Sequence, residues 1–204
     1  MIVEEFTTIA NMSCEQQDGH VPITVTGVIP SPHGPLVQWT GGSPAPRFDD
    51  GRTLGPPAAQ DLCRVLARVM ACRWREGRAV VSKDWRETLA LRHPGVFEDG
   101  GPASWGGWRW LWEGAAELIG ETKPPGFKTL QTKEKFAQIR WYYGLGSKCR
   151  VGQREEVRTI VDGIEHLSAF VCEYCGAPGT VRPGGWAKTC CDHHAKRENR
   201  ELPR

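Results

Sequence analysis

Four of the chain's eight cysteines lie in its last 33 residues, in two close pairs, with histidines beside the second pair. Cys172 and Cys175 stand in CEYCG, and fifteen residues (176–190) separate them from Cys191 and His194 in CDHH. Two ligands spaced by two residues can bend around one metal ion, and Gly176 directly after the first pair permits the tight turn. Three thiolates and one imidazole form a closed tetrahedral set for zinc. No coordination position remains for water or substrate, so one structural Zn2+ is expected rather than a catalytic one. Cys190 and His193 have the same spacing as Cys191 and His194, which leaves two registers for the second pair. Zinc binding by such segments is worth about 10–16 kcal/mol and orders loops that cannot fold alone. The intervening loop holds Pro178, Pro183 and four glycines, with Trp186 as its only large apolar anchor.

The same cysteines argue against a disulfide framework. That device staples small secreted chains, whereas this one has 204 residues and opens on MIVEEF, without a positive start or an apolar run. Arg68 and Arg73 interrupt the best candidate for a membrane span. A soluble, cytoplasmic protein with no membrane partner is expected. Cys63 and Cys72 fall in an apolar helical pattern and read as core thiols.

An α+β fold is expected, in three parts. Residues 1–80 read as a β-rich N-terminal lobe plus a helix over 56–76. VPITVTGVI (21–29) and GPLVQWTG (34–41) suggest two or three antiparallel strands, with turns at GGSPAP (41–46) and Asp50-Gly51. Leu62, Val65, Leu66, Val69 and Met70 recur at three and four residues, between Pro56-Pro57 and Gly77. Residues 81–171 form a middle region. A short helix spans 83–92, a second starts near Gly107, and a third runs over 153–171 on a stripe of Val157, Ile160, Val161, Ile164, Leu167 and Val171. Ile139, Trp141 and Tyr143 alternate with Arg140 and Tyr142, a strand with one buried face. Residues 172–204 are the zinc ribbon and a polar tail.

Two further surfaces are candidates for binding. Between Lys123 and Arg158 nine basic residues face three Glu, so this stretch carries +6 while the remainder is net −4, for a total of +2. Phe127, Phe136, Trp141, Tyr142 and Tyr143 interleave with those charges, and Lys133, Lys135, Arg140, Lys148 and Arg150 are the candidate nucleic-acid contacts. Four tryptophans fall within residues 105–112. Trp108 and Trp112 share the buried helical stripe with Leu111, Ala115 and Ile119, whereas Trp105 and Trp110 point elsewhere and are candidate partner contacts. Glu113 and Glu117 read as a solvated face. The chain has neither a phosphate-binding G-x-x-x-x-G-K-[ST] motif nor a G-x-S-x-G nucleophile turn, and no catalytic residues are assigned.

KEKF-x-x-x-RWYY (133–143), CEYCGAPG (172–179), Gly185-Trp186 and T-x-C-D-x-H-A (189–195) together resemble a group of uncharacterised zinc-ribbon proteins of tailed phages and prophages. HPGVFEDGG (93–101) and GWRWL (107–111) extend the resemblance to about residues 85–196. The ending of that group, TLCDEHA, maps onto TCCDHHA and places the metal ligands at Cys191 and His194. Ala137 stands where the group has Gly, and Cys190 and His193 stand where it has Leu and Glu. The resemblance implies a non-enzymatic phage accessory protein that engages a host protein or protein complex and inhibits it. Nucleic-acid binding through 123–158 is the alternative.

Overall fold

Apolar side chains in AQDLCRVLARVMACRW occur on nearly every side of a helix, so this segment needs neighbours all around it. In the computed structural model, which describes residues 1–15, 20–42, 57–77, 79–97 and 100–198, it forms α2 (Ala59–Trp74), with eleven of its sixteen residues buried. Its neighbours are α1 (Ile2–Cys14), the hairpin of β1 (Thr24–Ser31) and β2 (Gly34–Thr40), α4 (Arg109–Thr122) and α5 (Val151–Leu167). Gly114 of α4 faces α2 so closely that an added Cβ would lie 3.0 Å from the Val69 nitrogen. Side chains from all these elements, Phe6, Val37, Leu66, Trp112 and Ile160 among them, share one apolar core.

The fold is α+β, with six α-helices and three two-stranded antiparallel sheets among the described residues. The helices expected over 56–76, 83–92 and 153–171 are present as α2, α3 (Trp85–Arg92) and α5. A 3-10 turn at Ser168–Phe170 separates α5 from the cysteines. The expected β-rich start needs correction, because residues 2–14 are helical. Phe6, Ile9, Ala10 and Cys14 are buried at helical spacing, and Glu4 and Glu5 lie in the first turn, where the helix dipole favours acids. The turns expected at GGSPAP and Asp50-Gly51 fall outside the described residues beyond Gly42.

Residues 128–144 form a ribbon of β3 (Lys128–Lys135) and β4 (Gln138–Gly144). Ile139, Trp141 and Tyr143 point inward as expected. Trp141 packs on Trp112 (5.1 Å between ring centroids) and stacks on Phe97 (5.6 Å). Three of the buried indole N–H groups have partners: Trp108 donates to the Val171 carbonyl, Trp112 to Ser104 and Trp141 to Thr129.

Glu113 and Glu117 are not a solvated face. Glu113 is 3 % exposed and gathers Arg92 (2.9 Å), Arg75 (3.5 Å) and Arg109 (3.8 Å). Glu117 binds Arg75, Arg68 (3.3 Å) and His33 (2.9 Å), so the tip of the β1–β2 hairpin is clamped to α4. Arg75 beside Glu117 helps hold its carboxyl below the usual range against the opposing effect of burial. No helix among the described residues is long and apolar enough to cross a membrane.

Candidate metal centre

The chain enters the metal lobe at Val171, which bridges to Pro178. Gly176 has φ of 72°, the left-handed conformation expected after the first cysteine pair. Its amide donates to the Cys172 carbonyl (2.8 Å), and the Cys172 amide donates to the Ala177 carbonyl (2.8 Å), closing a knuckle. The chain then forms β5 (Thr180–Arg182) and β6 (Lys188–Cys190) and turns into α6 (Asp192–Arg197). Cys191 is the residue just before α6, and His194 lies one turn further along the same side.

This path brings Cys172, Cys175, Cys191 and His194 together with all four donor atoms within 4.8 Å of one another. Cys175 Sγ is 3.8 Å from Cys191 Sγ, and His194 Nδ1 is 3.2 Å from Cys191 Sγ and 3.6 Å from Cys172 Sγ. Sulfurs about 2.3 Å from a central zinc would be about 3.8 Å apart in a tetrahedron, so the group can hold a metal ion. A hydrogen bond from Cys175 holds the Cys172 thiol down to about 5, and the same bond pushes the Cys175 thiol up. Cys190 is not in the group, because it ends β6 opposite Thr180, and His193 is exposed.

The knuckle is held from the core side. The 3-10 turn that starts α4 presses Gly107 against it, and the Gly107 amide donates to the Glu173 carbonyl (2.8 Å). Arg73 of α2, 5 % exposed, donates to the Cys175 carbonyl (2.7 Å) and pairs with both oxygens of Glu5 on α1. The His194 ring stacks on Tyr174 (5.0 Å), and Tyr174 in turn packs on Trp105 (5.5 Å). Lys188 Nζ lies over both the Trp105 and Tyr174 rings and near Glu173 (3.6 Å). Burial pushes the Glu173 carboxyl up to about 7.

The expected Trp105–Trp110 partner surface does not form. Trp105 is 46 % exposed, but Trp110 is 3 % exposed. Arg73 covers its ring at 4.5 Å and Arg109 at 5.2 Å, while Gly176 packs on its edge. The metal knuckle thus covers the side of α4 that its own periodicity leaves open. Trp186 also departs from expectation. It is 66 % exposed rather than anchored in the core, and its Nε1 donates to Glu134 Oε2 (3.1 Å).

The candidate basic residues divide into two groups. Lys133, Lys135 and Arg140 share the outward face of the β3–β4 ribbon. Lys148 and Arg150 are exposed in the turn and helix start beyond the other end of β4, about 20 Å along the ribbon. Arg140 is engaged within the fold, donating to the Ile139 carbonyl and to Gln138. The chain matches no protein-family model, no curated protein and no solved structure.

Proposed function

We propose that the chain is a non-enzymatic binding protein whose C-terminal lobe folds around one structural zinc ion. The observation that carries this reading is the closed donor set of Cys172, Cys175, Cys191 and His194, complete within 4.8 Å. Bound there, zinc would supply the cross-link between the knuckle and α6 that the short strands β5 and β6 are too small to supply themselves.

The resemblance to phage and prophage proteins supports a partner in the host cytoplasm: a protein complex that the chain inhibits, or a nucleic acid. Inhibition of a host complex loses the paired tryptophans expected to carry it, since Trp110 is buried. Nucleic-acid binding gains an assembled face with Lys133 and Lys135.

Chelation followed by limited proteolysis tests the structural role of the metal. Cleavage within 172–194 only after zinc removal is expected, and a segment that stays resistant without metal overturns it. Pull-down from host lysate with and without nuclease separates the partners. A nuclease-sensitive signal points to nucleic acid, and an insensitive one to a host protein.

A further inference from the structure

Strand register places Lys135 opposite Gln138, Lys133 opposite Arg140, Gln131 opposite Tyr142 and Lys128 opposite Gly144, all on the outward face of the β3–β4 ribbon. Glu134 pairs with Ile139 on the other face, so the outward face carries no acidic side chain. Lys133 Nζ lies 4.9 Å from the Tyr142 ring and Lys135 Nζ 5.2 Å from the Phe136 ring, and neither lysine has a carboxylate partner among the described residues. Cations and exposed ring faces therefore alternate along the ribbon.

The turn that ends the ribbon is unusual. Phe136 and Ala137 both have positive φ (53° and 61°), a two-residue turn that Asn-Gly ordinarily fills. Ala137 is buried, and its carbonyl accepts from Thr189 of the metal hairpin. Phe136 has no such packing reason, because its ring is 73 % exposed in a backbone conformation unfavourable for a bulky side chain. Trp186, 66 % exposed and tied to Glu134, stands across from it. The cleft between them has a volume of about 370 Å³ and a mainly apolar wall, within the size range of small-ligand sites.

We propose that this cleft and the outward face of the ribbon bind single-stranded nucleic acid, with a base held between Phe136 and Trp186, another on Tyr142, and phosphates on Lys133 and Lys135. Isolated exposed rings beside cations suit unstacked bases, whereas a duplex keeps its base faces covered. Addition of a protein strand is blocked at the β4 edge, where the Ile139 and Trp141 amides donate to Ser168 Oγ (2.9 Å) and Glu165 Oε1 (2.6 Å). The inference rests on the binding-protein reading, since the metal hairpin is what presents Trp186.

Fluorescence anisotropy of zinc-loaded full-length protein with labelled oligo(dT) tests it, with zinc content measured on the same samples. Salt-sensitive binding is expected, weakened about tenfold or more by K133E/K135E and by W186A. Phe136→Gly is the decisive variant, since relieving the backbone should raise the thermal midpoint while loss of the ring weakens binding about tenfold. A failure to fold cannot then explain the loss. Absence of binding by a folded, zinc-bearing protein overturns this inference and leaves the metal reading intact, whereas binding by a folded protein that takes up no zinc does the reverse. Unchanged binding by F136G, tighter binding of a duplex, or retention of an acidic protein partner instead of the oligonucleotide would also overturn it.

Discussion

The Thr189 hydroxyl donates to the Ala137 carbonyl at 2.7 Å, a buried hydrogen bond that joins β6 of the metal hairpin to the turn of the β3–β4 ribbon. Thr189 is fully buried, so replacing it with valine keeps the shape and leaves the carbonyl without its donor. T189V is expected to lower stability by about 1–3 kcal/mol, measured by urea unfolding. A change within error would mean that the two hairpins are not coupled through this contact.

Glu5 and Arg73 form a nearly buried pair that also receives the Trp74 indole N–H. Glu5→Ala leaves the Arg73 charge uncompensated in the core, and a loss of about 3–5 kcal/mol is expected. Arg73 also holds the Cys175 carbonyl, so E5A should release zinc to a chelator faster than the wild type does. Stability loss with unaltered zinc release would disconnect α1 from the metal lobe.

Gly107 has no room for a side chain. An added Cβ would lie 2.3 Å from the Cys172 carbonyl oxygen and 2.6 Å from the Cys175 nitrogen, both backbone atoms. G107A should therefore push the knuckle off α4, lowering zinc affinity and exposing 172–194 to protease. Normal zinc retention in a folded G107A protein would show that the knuckle does not need this contact.

His166 Nε2 lies 2.8 Å from the Ser13 carbonyl oxygen and ties α5 to the end of α1. Burial holds its pKa below the ordinary value, so the folded protein keeps the ring neutral where the unfolded chain takes up a proton. The stability this contributes is present above about pH 6.5 and is lost as pH falls from there toward the depressed folded value. Unfolding free energies measured across that window should decline with acidification, and less so in H166Q. An equal decline in both proteins would assign the effect to other groups.

Regular periodicity made α2, α5 and the buried face of α4 legible from residues alone. In α1 the spacing of Phe6, Ile9, Ala10 and Cys14 was the available signal, obscured by the β-branched run Thr7-Thr8-Ile9. Strand β3 was hidden for a different reason. Its inward positions include Thr129, Thr132 and Glu134, which serve as hydrogen-bonding groups rather than apolar ones, so no hydrophobic alternation marks it. Trp110 and Glu113 were misplaced because what buries them comes from far along the chain: Gly176 and Arg73 for one, Arg75 and Arg92 for the other. Spacing found both candidate ligand registers. Only the start of α6 after Cys191, with Cys190 left in β6, brings His194 to the three sulfurs.

Native mass spectrometry of the wild type, C190A/H193A and C191A addresses the metal centre directly. One zinc per chain is expected in the wild type and in C190A/H193A, with the ion lost or weakly held in C191A. A wild-type chain that takes up no zinc, or one that loses it in C190A/H193A while C191A keeps it, would contradict a lobe built on Cys172, Cys175, Cys191 and His194.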